Sequence, residues 1–410
     1  MLRSFRVGNH RSIKDEVELL LLPVYDKDRL ALNVAAIYGA NAAGKSNLLD
    51  AVWFMREAVL RSHSHWGPDA GVPRRPFSLD PTVAARESIF VAEFVIDSVR
   101  YTYGFTVDNE VVREEWLYTY PEKRRRVMFE RELNHVRFGS TVADRRKNEL
   151  LARMMRPNSL FLSVAAASNV DTAVPIYRWF SRDLILHNWH GFFGRQVGAG
   201  RAFVNHEEVG KLFVEGSTAV RSALIDLVRA ADLGITDVVV EANKDKYTLS
   251  KLTVKLIHDD GVALDPEDES AGTRGWLGLL PELISCLSSG GVLVIDEIDA
   301  SFHPLLTARL IALFRDTETN PRGAQLLFST HDASLLSPVL GEEVLRREEV
   351  WFVQKGTDGA TELYPLSDFR PRKGENTERR YLGGSYGAAP SLFAERFADA
   401  VRAGLLDESA

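Results

Sequence analysis

The apolar positions of the chain follow two different patterns. From about residue 88 to residue 131 apolar and polar residues alternate, as in the segments 89–95 and 101–107, which predicts an antiparallel meander of strands. The segments 291–295 and 325–329 are continuously apolar instead, as in parallel strands that are buried on both faces. We therefore predict an α/β fold in which a parallel core is joined to an antiparallel β-rich lobe.

Stretches with helical periodicity lie between these strands. Residues 205–231 are the clearest amphipathic case, and a further helix is predicted at about 272–288. The patterns divide the chain into five predicted parts. These are an N-terminal lobe (1–60), a β-rich meander (61–143), a helical insertion (144–235), a second lobe (236–340) and a C-terminal strand with a basic, helical tail (341–410).

A complete phosphate-binding loop, G-x-x-x-x-G-K-[ST], occupies residues 39–46. It follows the apolar run 34–38 and precedes a helix-like segment, which is the context that the motif requires. Its glycines let backbone N–H groups face a phosphate, and the helix adds the positive end of its dipole. A glycine turn before a structural helix is the alternative. The predicted nucleotide contacts are Gly39, Asn41, Ala42, Ala43, Gly44, Lys45, Ser46 and Asn47. Lys45 would reach the β- and γ-phosphates, and Ser46 would bind Mg²⁺.

Acidic residues and a histidine follow the two apolar runs. Asp296 and Glu297 come directly after the first run, where Asp296 would hold Mg²⁺ and Glu297 would polarise the attacking water as a general base. His331 follows the second run. Because ligands of open α/β sheets bind at the carboxyl ends of the strands, we predict that His331 senses the γ-phosphate.

Ser270 and Gly272, which we call the signature residues, stand at the start of the helix that leads into the run 291–295. Small residues at a helix N-terminus form a second anion-binding surface, which suggests that two protomers share each ATP. A simple serine N-cap explains the same residues, and taken alone it is the better explanation.

The order of these motifs resembles that of ABC-type ATPases of the SMC and RecF kind. The stretches that carry the resemblance are 39–46, 269–273, 296–304 and 329–332. The chain is similar in particular to the AAA15 or OLD-like group of AAA-domain ATPases, typical of bacterial anti-phage abortive-infection systems. Its opening segment 8–13 resembles the N-terminal motif of that group. Its tail, 372–390, resembles the subgroup found beside a RloB-type nuclease.

The resemblance implies roles for several residues. Ser270 and Gly272 would contact the γ-phosphate held by the other subunit of a homodimer, and Asp299 would couple the two sites. His331 would be the switch histidine. Arg11 would touch the nucleotide near its base or α-phosphate, unless it is only a surface charge at a strand end.

The chain departs from the family pattern at two places. The signature segment 269–273 is Glu-Ser-Ala-Gly-Thr rather than Leu-Ser-Gly-Gly, so it follows the OLD-like form and not the transporter form. No convincing glutamine loop is visible, because Gln196 is the only glutamine between the phosphate loop and the signature. The segment 243–246 resembles a guanine-reading motif but has Lys246 in place of the aspartate, so ATP is preferred to GTP.

The composition of the chain argues against a disulfide-stabilised protein and a membrane-spanning protein. The 410 residues carry a formal net charge of −7 and the single cysteine Cys286, which excludes an intramolecular disulfide framework and suits a reducing cytoplasm. No apolar run is long enough to predict a membrane span.

A basic cluster beside aromatic residues could bind nucleic acid, although such turns are usually only solvated. It consists of Lys123, Arg124, Arg125 and Arg126.

Three functions are compatible with these features. The first is a Mg²⁺-dependent ATPase that dimerises around two ATP molecules and controls a partner nuclease or toxin in anti-phage defence. The second is a RecF-like DNA clamp in repair, and the third is an ATP-bound scaffold with little turnover. The segment after His331 is too short for the nuclease domain that is fused in full-length OLD proteins, which favours an effector in trans.

Overall fold

The fold was analysed in a computed structural model, which describes residues 1–26, 29–187, 204–231, 234–243, 251–300, 302–340, 343–369 and 376–389. Gln196, Lys246 and the tail segment 370–375 lie outside the described residues. The predictions that concern these positions therefore stay predictions.

Groups of strands are separated by groups of helices along the chain. The strands are β1 (Leu2–Gly8), β2 (Val17–Leu20), β3 (Val34–Tyr38), β4 (Ser88–Ile96), β5 (Val99–Val107), β6 (Val112–Thr119), β7 (Arg126–Glu132), β8 (His135–Phe138), β9 (Leu184–His187), β10 (Ile235–Asn243), β11 (Lys251–His258), β12 (Ala263–Leu264), β13 (Val292–Ile295), β14 (Gln325–Thr330), β15 (Val350–Lys355) and β16 (Thr361–Pro365). The helices are α1 (Lys45–Arg61), α2 (Pro81–Ala84), α3 (Arg145–Met154), α4 (Phe161–Ala167), α5 (Val174–Arg178), α6 (His206–Glu215), α7 (Thr218–Ala231), α8 (Ala271–Ser289), α9 (Pro304–Arg315) and α10 (Thr377–Leu382).

The core sheet has the order β16-β15-β3-β14-β13-β9. Strands β15, β3, β14, β13 and β9 are parallel, with β9 at one edge, and β16 pairs antiparallel with β15 at the other edge. All five residues of β3 are buried. Ala35 and Ile37 face a core that includes α1, whereas Val34, Ala36 and Tyr38 face a second core that includes α8 and α9. Because side chains alternate along a strand, a continuous apolar run fills both cores.

The antiparallel sheet has the order β2-β1-β4-β5-β6-β7-β8. The predicted meander is confirmed, since β4, β5 and β6 pair in sequence. Helix α1 packs between this sheet and the core sheet, so the helix that follows the phosphate loop is covered on both sides. The α/β fold with an antiparallel β-rich lobe is therefore confirmed.

The predicted helix at 205–231 is divided into α6 and α7 in the structure. Gly216 has extended backbone, with φ −71° and ψ 146°, and so ends α6. The Ser217 hydroxyl then accepts a hydrogen bond from the Val220 N–H at 3.4 Å at the start of α7. Both helices pack against α8 and the small sheet β10-β11-β12. Strand β9 also lies within the predicted helical insertion, in the core sheet beside β13.

A buried ion pair connects the antiparallel sheet to α4. The side chains of Glu115 on β6 and Arg131 on β7 are both 0% exposed, with 3.4 Å between Nη1 and Oε2. The Glu115 carboxylate also accepts hydrogen bonds from the Tyr103 hydroxyl (2.9 Å), the Phe161 N–H (2.6 Å) and the Leu162 N–H (2.9 Å). Arg131 donates to the carbonyls of Ser159 (2.5 Å) and Pro157 (3.0 Å). The pair thus fixes the segment that enters α4.

The described parts of the chain contain no helix that is both long and apolar enough to cross a membrane. Cys286 is buried in α8, as its apolar surroundings predict.

Candidate nucleotide-binding site

The carboxyl ends of three neighbouring core strands bring the predicted catalytic groups to one edge of the sheet. The phosphate loop follows β3, Asp296 and Glu297 follow β13, and His331 follows β14. Strand β14 lies between the other two. This edge is where ligands of open parallel sheets bind.

The phosphate loop has the backbone of an anion-binding turn. Ala42 and Gly44 have positive φ angles of 62° and 116°, and the Ala43 N–H donates to the Ala40 carbonyl at 3.1 Å. Left-handed residues in a turn allow successive N–H groups to face one concavity. Helix α1 begins directly afterwards at Lys45, so its dipole adds positive potential at the same point.

The side chain of Lys45 lies across the phosphate loop. Its Nζ donates to the Gly39 carbonyl at 2.8 Å and to the Ala40 carbonyl at 3.4 Å. Burial lowers the pKa of Lys45, while the charges of Glu297 and Asp296 act in the opposite direction. The charges of both carboxylates that follow β13 therefore favour the protonated form of Lys45.

Ser329, at the end of β14, holds Asp296 and Glu297 in place. Its hydroxyl donates to the Asp296 carboxylate and accepts a hydrogen bond from the Glu297 N–H at 2.8 Å. Glu297 has a positive φ of 49° and an exposed side chain. Left-handed backbone at a residue other than glycine costs on the order of 1–3 kcal/mol and persists where the surroundings enforce it. The hydrogen bonds of Ser329 provide such enforcement.

The side chains of Asp299 and His331 contact each other within one protomer. The His331 Nδ1 lies 2.8 Å from the Asp299 Oδ2, and the His331 backbone N–H donates to Oδ1 at 3.4 Å. The Asp299 side chain is 9% exposed and that of His331 is 59% exposed. The pair therefore presents its histidine to solvent at the edge that carries the phosphate loop.

The signature residues lie farther out, at the start of α8. Ser270 is exposed and caps the helix, since its hydroxyl accepts from the Thr273 N–H at 3.1 Å. Gly272 is in the first turn. Glu282 of the same helix contacts His187 at the carboxyl end of β9, with 2.5 Å between Oε2 and Nδ1. Ser270 precedes Glu282 by roughly twelve residues, or about 18 Å along the helix axis.

Arg11 is held by α1. Its guanidinium binds both carboxylate oxygens of Asp50, with 2.7 Å between Nη2 and Oδ1, and His10 Nε2 lies 2.8 Å from Oδ2. Burial alone would raise the pKa of Asp50, but the hydrogen bonds and charges of His10 and Arg11 outweigh it and lower the pKa below its ordinary value. Asp50, about one helical turn after the phosphate loop, thus holds the Arg11 guanidinium in place.

The basic cluster at residues 123–126 is exposed. The guanidinium of Arg125 lies 3.8 Å from the Tyr118 ring centroid and 3.2 Å from Glu130. Arg125 therefore has intramolecular partners. Nucleic-acid binding by this cluster stays a prediction.

Several residues at the site were not singled out from the sequence. Tyr381 of α10 is 3% exposed, and its ring centroid lies 5.5 Å from that of Tyr38, the residue directly before the phosphate loop. Burial raises the pKa of Tyr381, and the nearby Asp299 carboxylate raises it further. The other such residues are Ser12, Asp50, Ser329 and Thr361. Their partners are distant in the sequence, so no local pattern marks them.

The donor set at this edge fits a magnesium ion that is bound together with phosphates. Among the described residues there is no group of three or more histidine, cysteine, aspartate or glutamate side chains that could hold a metal ion. Mg²⁺ usually takes one or two protein ligands and completes its shell with phosphate oxygens and water. Ser46, at the start of α1, and Asp296 provide oxygen atoms of this kind.

Comparison with known families identifies the family of the chain. The family model described as "AAA domain, putative AbiEii toxin, Type IV TA system" matches residues 34–337. The match covers well over half of the chain, and the chain therefore belongs to this family of AAA-domain proteins. No curated protein matches the sequence.

Three solved structures of SMC heads are similar to this chain over most of its length. An SMC head bound to the C-terminal winged-helix domain of ScpA has 14% identity and a TM-score of 0.43, covering 90% of this chain and 99% of the other. The SMC head domain from Thermotoga maritima has 12% identity and a TM-score of 0.39, with coverages of 89% and 98%. A head with an extended coiled coil, bound to a ScpA domain, from Pyrococcus furiosus has 12% identity and a TM-score of 0.45, with coverages of 90% and 97%.

Proposed function

We propose that this protein is a Mg²⁺-dependent ATPase of the cytoplasm that closes as a homodimer around two ATP molecules. In this account the nucleotide state controls a partner nuclease or toxin in bacterial anti-phage defence. The observation that carries the proposal is the meeting of Lys45, Asp296 and Glu297 at one edge of the core sheet.

Each group at this edge has a task in phosphoryl transfer. Lys45 and the N–H groups of the phosphate loop bind the phosphates, and the exposed Glu297 carboxylate accepts a proton from the attacking water. When bound, Mg²⁺ would be held by Ser46 and Asp296 and would neutralise charge on the phosphates. Arg11 and Asn47 flank the loop as further candidate contacts, with Arg11 oriented by Asp50.

The exposure of Ser270 supports a site that is completed by a second copy. The N-terminus of α8 extends about 18 Å past Glu282, at the level where β9 ends. An exposed serine and the first N–H groups of a helix can contact a phosphate held by another protomer. Asp299 and His331 would then exchange part of their mutual contact for contacts across the dimer.

We expect Ser270→Arg to abolish ATP hydrolysis while ATP affinity stays within about twofold of the wild type. The phosphate loop would be untouched, but the bulky cation would prevent the two protomers from closing. The matched control is Ser217→Arg, which replaces another exposed serine at a helix start. Steady-state turnover and calorimetric binding of ATP measure the two effects. Equal loss of turnover in both variants would argue against a signature role for Ser270.

The defence role is supported by the family description, which names a toxin and a type IV toxin–antitoxin system. The test is a tagged Glu297→Gln protein, captured from its native host with ATP and Mg²⁺ present throughout. A stoichiometric protein with nuclease or toxin character would support the proposal. Protected DNA without a protein partner would replace it with the RecF-like clamp.

A further inference from the structure

Three side chains from distant parts of the sequence form a directional hydrogen-bond chain that ends on the phosphate loop. The Asn47 Nδ2 donates to the Ser12 Oγ at 2.6 Å, and the Ser12 Oγ lies 2.7 Å from the Thr361 Oγ1. The Thr361 Oγ1 donates to the Ala43 carbonyl at 2.9 Å. Because the Asn47 amide nitrogen can only donate and the Ala43 carbonyl can only accept, the Ser12 hydroxyl must donate to Thr361.

The chain is fixed at both ends. Thr361, the first residue of β16, is 4% exposed, and its backbone N–H donates to the Ser12 carbonyl at 2.7 Å. Ser12 belongs to the opening segment that also carries His10 and Arg11, which bind Asp50 of α1. The hydroxyl groups therefore have little freedom to choose other partners.

Thr361 also packs directly against the second glycine of the loop. A Cβ atom added to Gly44 would lie 2.1 Å from the Thr361 Oγ1 and 2.7 Å from its Cγ2. The threonine side chain therefore occupies the space next to the residue that precedes Lys45. This contact explains why Gly44 is needed here in addition to its positive φ of 116°.

We propose that Thr361, supported by Ser12, is a positioning residue that orients the Ala43–Gly44 peptide for phosphate binding. In a trans peptide the carbonyl and the following N–H point in opposite directions. The hydroxyl of Thr361 holds the Ala43 carbonyl on the outer side of the loop, so the Gly44 N–H is directed to the inner side. The proposal rests on the proposed nucleotide-binding function and adds the element that orients this site.

The test compares Thr361→Val, which removes the hydroxyl, with Thr361→Ser, which keeps it. Both are made in the Glu297→Gln background, and ATP binding with Mg²⁺ is measured by calorimetry. We expect Thr361→Val to weaken ATP affinity about five- to tenfold, the effect of one lost hydrogen bond, and Thr361→Ser to stay within about twofold. Equal affinities of the two variants would overturn the proposal.

Kinetics separate positioning from a general loss of structure. With Glu297 intact, we expect Thr361→Val to raise KM while kcat stays within about twofold, because the lost contact acts on bound substrate and transition state alike. If Thr361→Val does not fold, Ser12→Ala is used instead, and we expect its KM to rise as well. An unchanged KM would contradict the proposal. Failure of the Glu297→Gln protein itself to bind ATP would instead refute the proposed function.

Discussion

Glu297→Gln is expected to lower ATP turnover about 10²- to 10⁴-fold, the usual contribution of a general base, with ATP affinity retained. Glutamine keeps the shape of the side chain but cannot accept the proton of the attacking water. The left-handed backbone and the hydrogen bond to Ser329 are independent of the carboxylate, so the geometry of the site is preserved.

Turnover is measured by phosphate release and affinity by calorimetry with ATP and Mg²⁺. The control is Glu318→Gln, which changes an exposed carboxylate after α9 and should leave turnover unaltered. Wild-type turnover in Glu297→Gln would remove the general-base assignment and favour another group at the same edge.

Arg131→Met is expected to lower the free energy of unfolding by about 3–5 kcal/mol, as when one partner of a buried ion pair is removed. The methionine side chain is apolar, and it would leave the Glu115 carboxylate without its counter-charge in a fully buried position. The Ser159 carbonyl would also lose its hydrogen bond from Arg131, and the Pro157 carbonyl would keep only the one from the Val112 N–H. The segment that enters α4 would therefore be affected first.

The control for this prediction is Arg145→Met. Arg145 pairs with Glu149 on the surface of α3, where the two side chains are 64% and 48% exposed. Such pairs contribute about 0.2–1 kcal/mol. Urea unfolding followed by circular dichroism compares the two variants. If both lose the same small amount of stability, the buried pair does not hold the β-rich lobe to α4.

The sequence predicts the catalytic edge because its motifs are local. The loop at 39–46 and the carboxylates after 291–295 are each adjacent to a continuously apolar run, and two-sided burial of the core sheet requires such runs. Their position at one edge follows from the parallel arrangement of the strands. The antiparallel meander is equally local, since β4, β5 and β6 are joined by short turns.

The remaining features depend on contacts between distant residues. Strand β15 lies beside β3 although more than 300 residues separate them, and no pattern in either strand specifies this neighbour. Glu115 and Arg131 occupy strands in which charged residues are frequent, so nothing in the sequence shows that these two are buried. Thr361 contacts the phosphate loop, and Tyr381 contacts Tyr38 directly before it, only because the C-terminal segments return to this part of the chain.

Cysteine cross-linking tests directly whether each nucleotide site is completed by a second copy of the chain. Cys286 is the only cysteine and is buried, so introduced thiols react alone. Asn41→Cys and Ser270→Cys are placed on differently tagged Glu297→Gln chains, mixed, and treated with a short bis-maleimide. We expect a cross-linked mixed dimer with ATP and Mg²⁺, and none without nucleotide. Absence of the cross-link in a sample shown to bind ATP would contradict it.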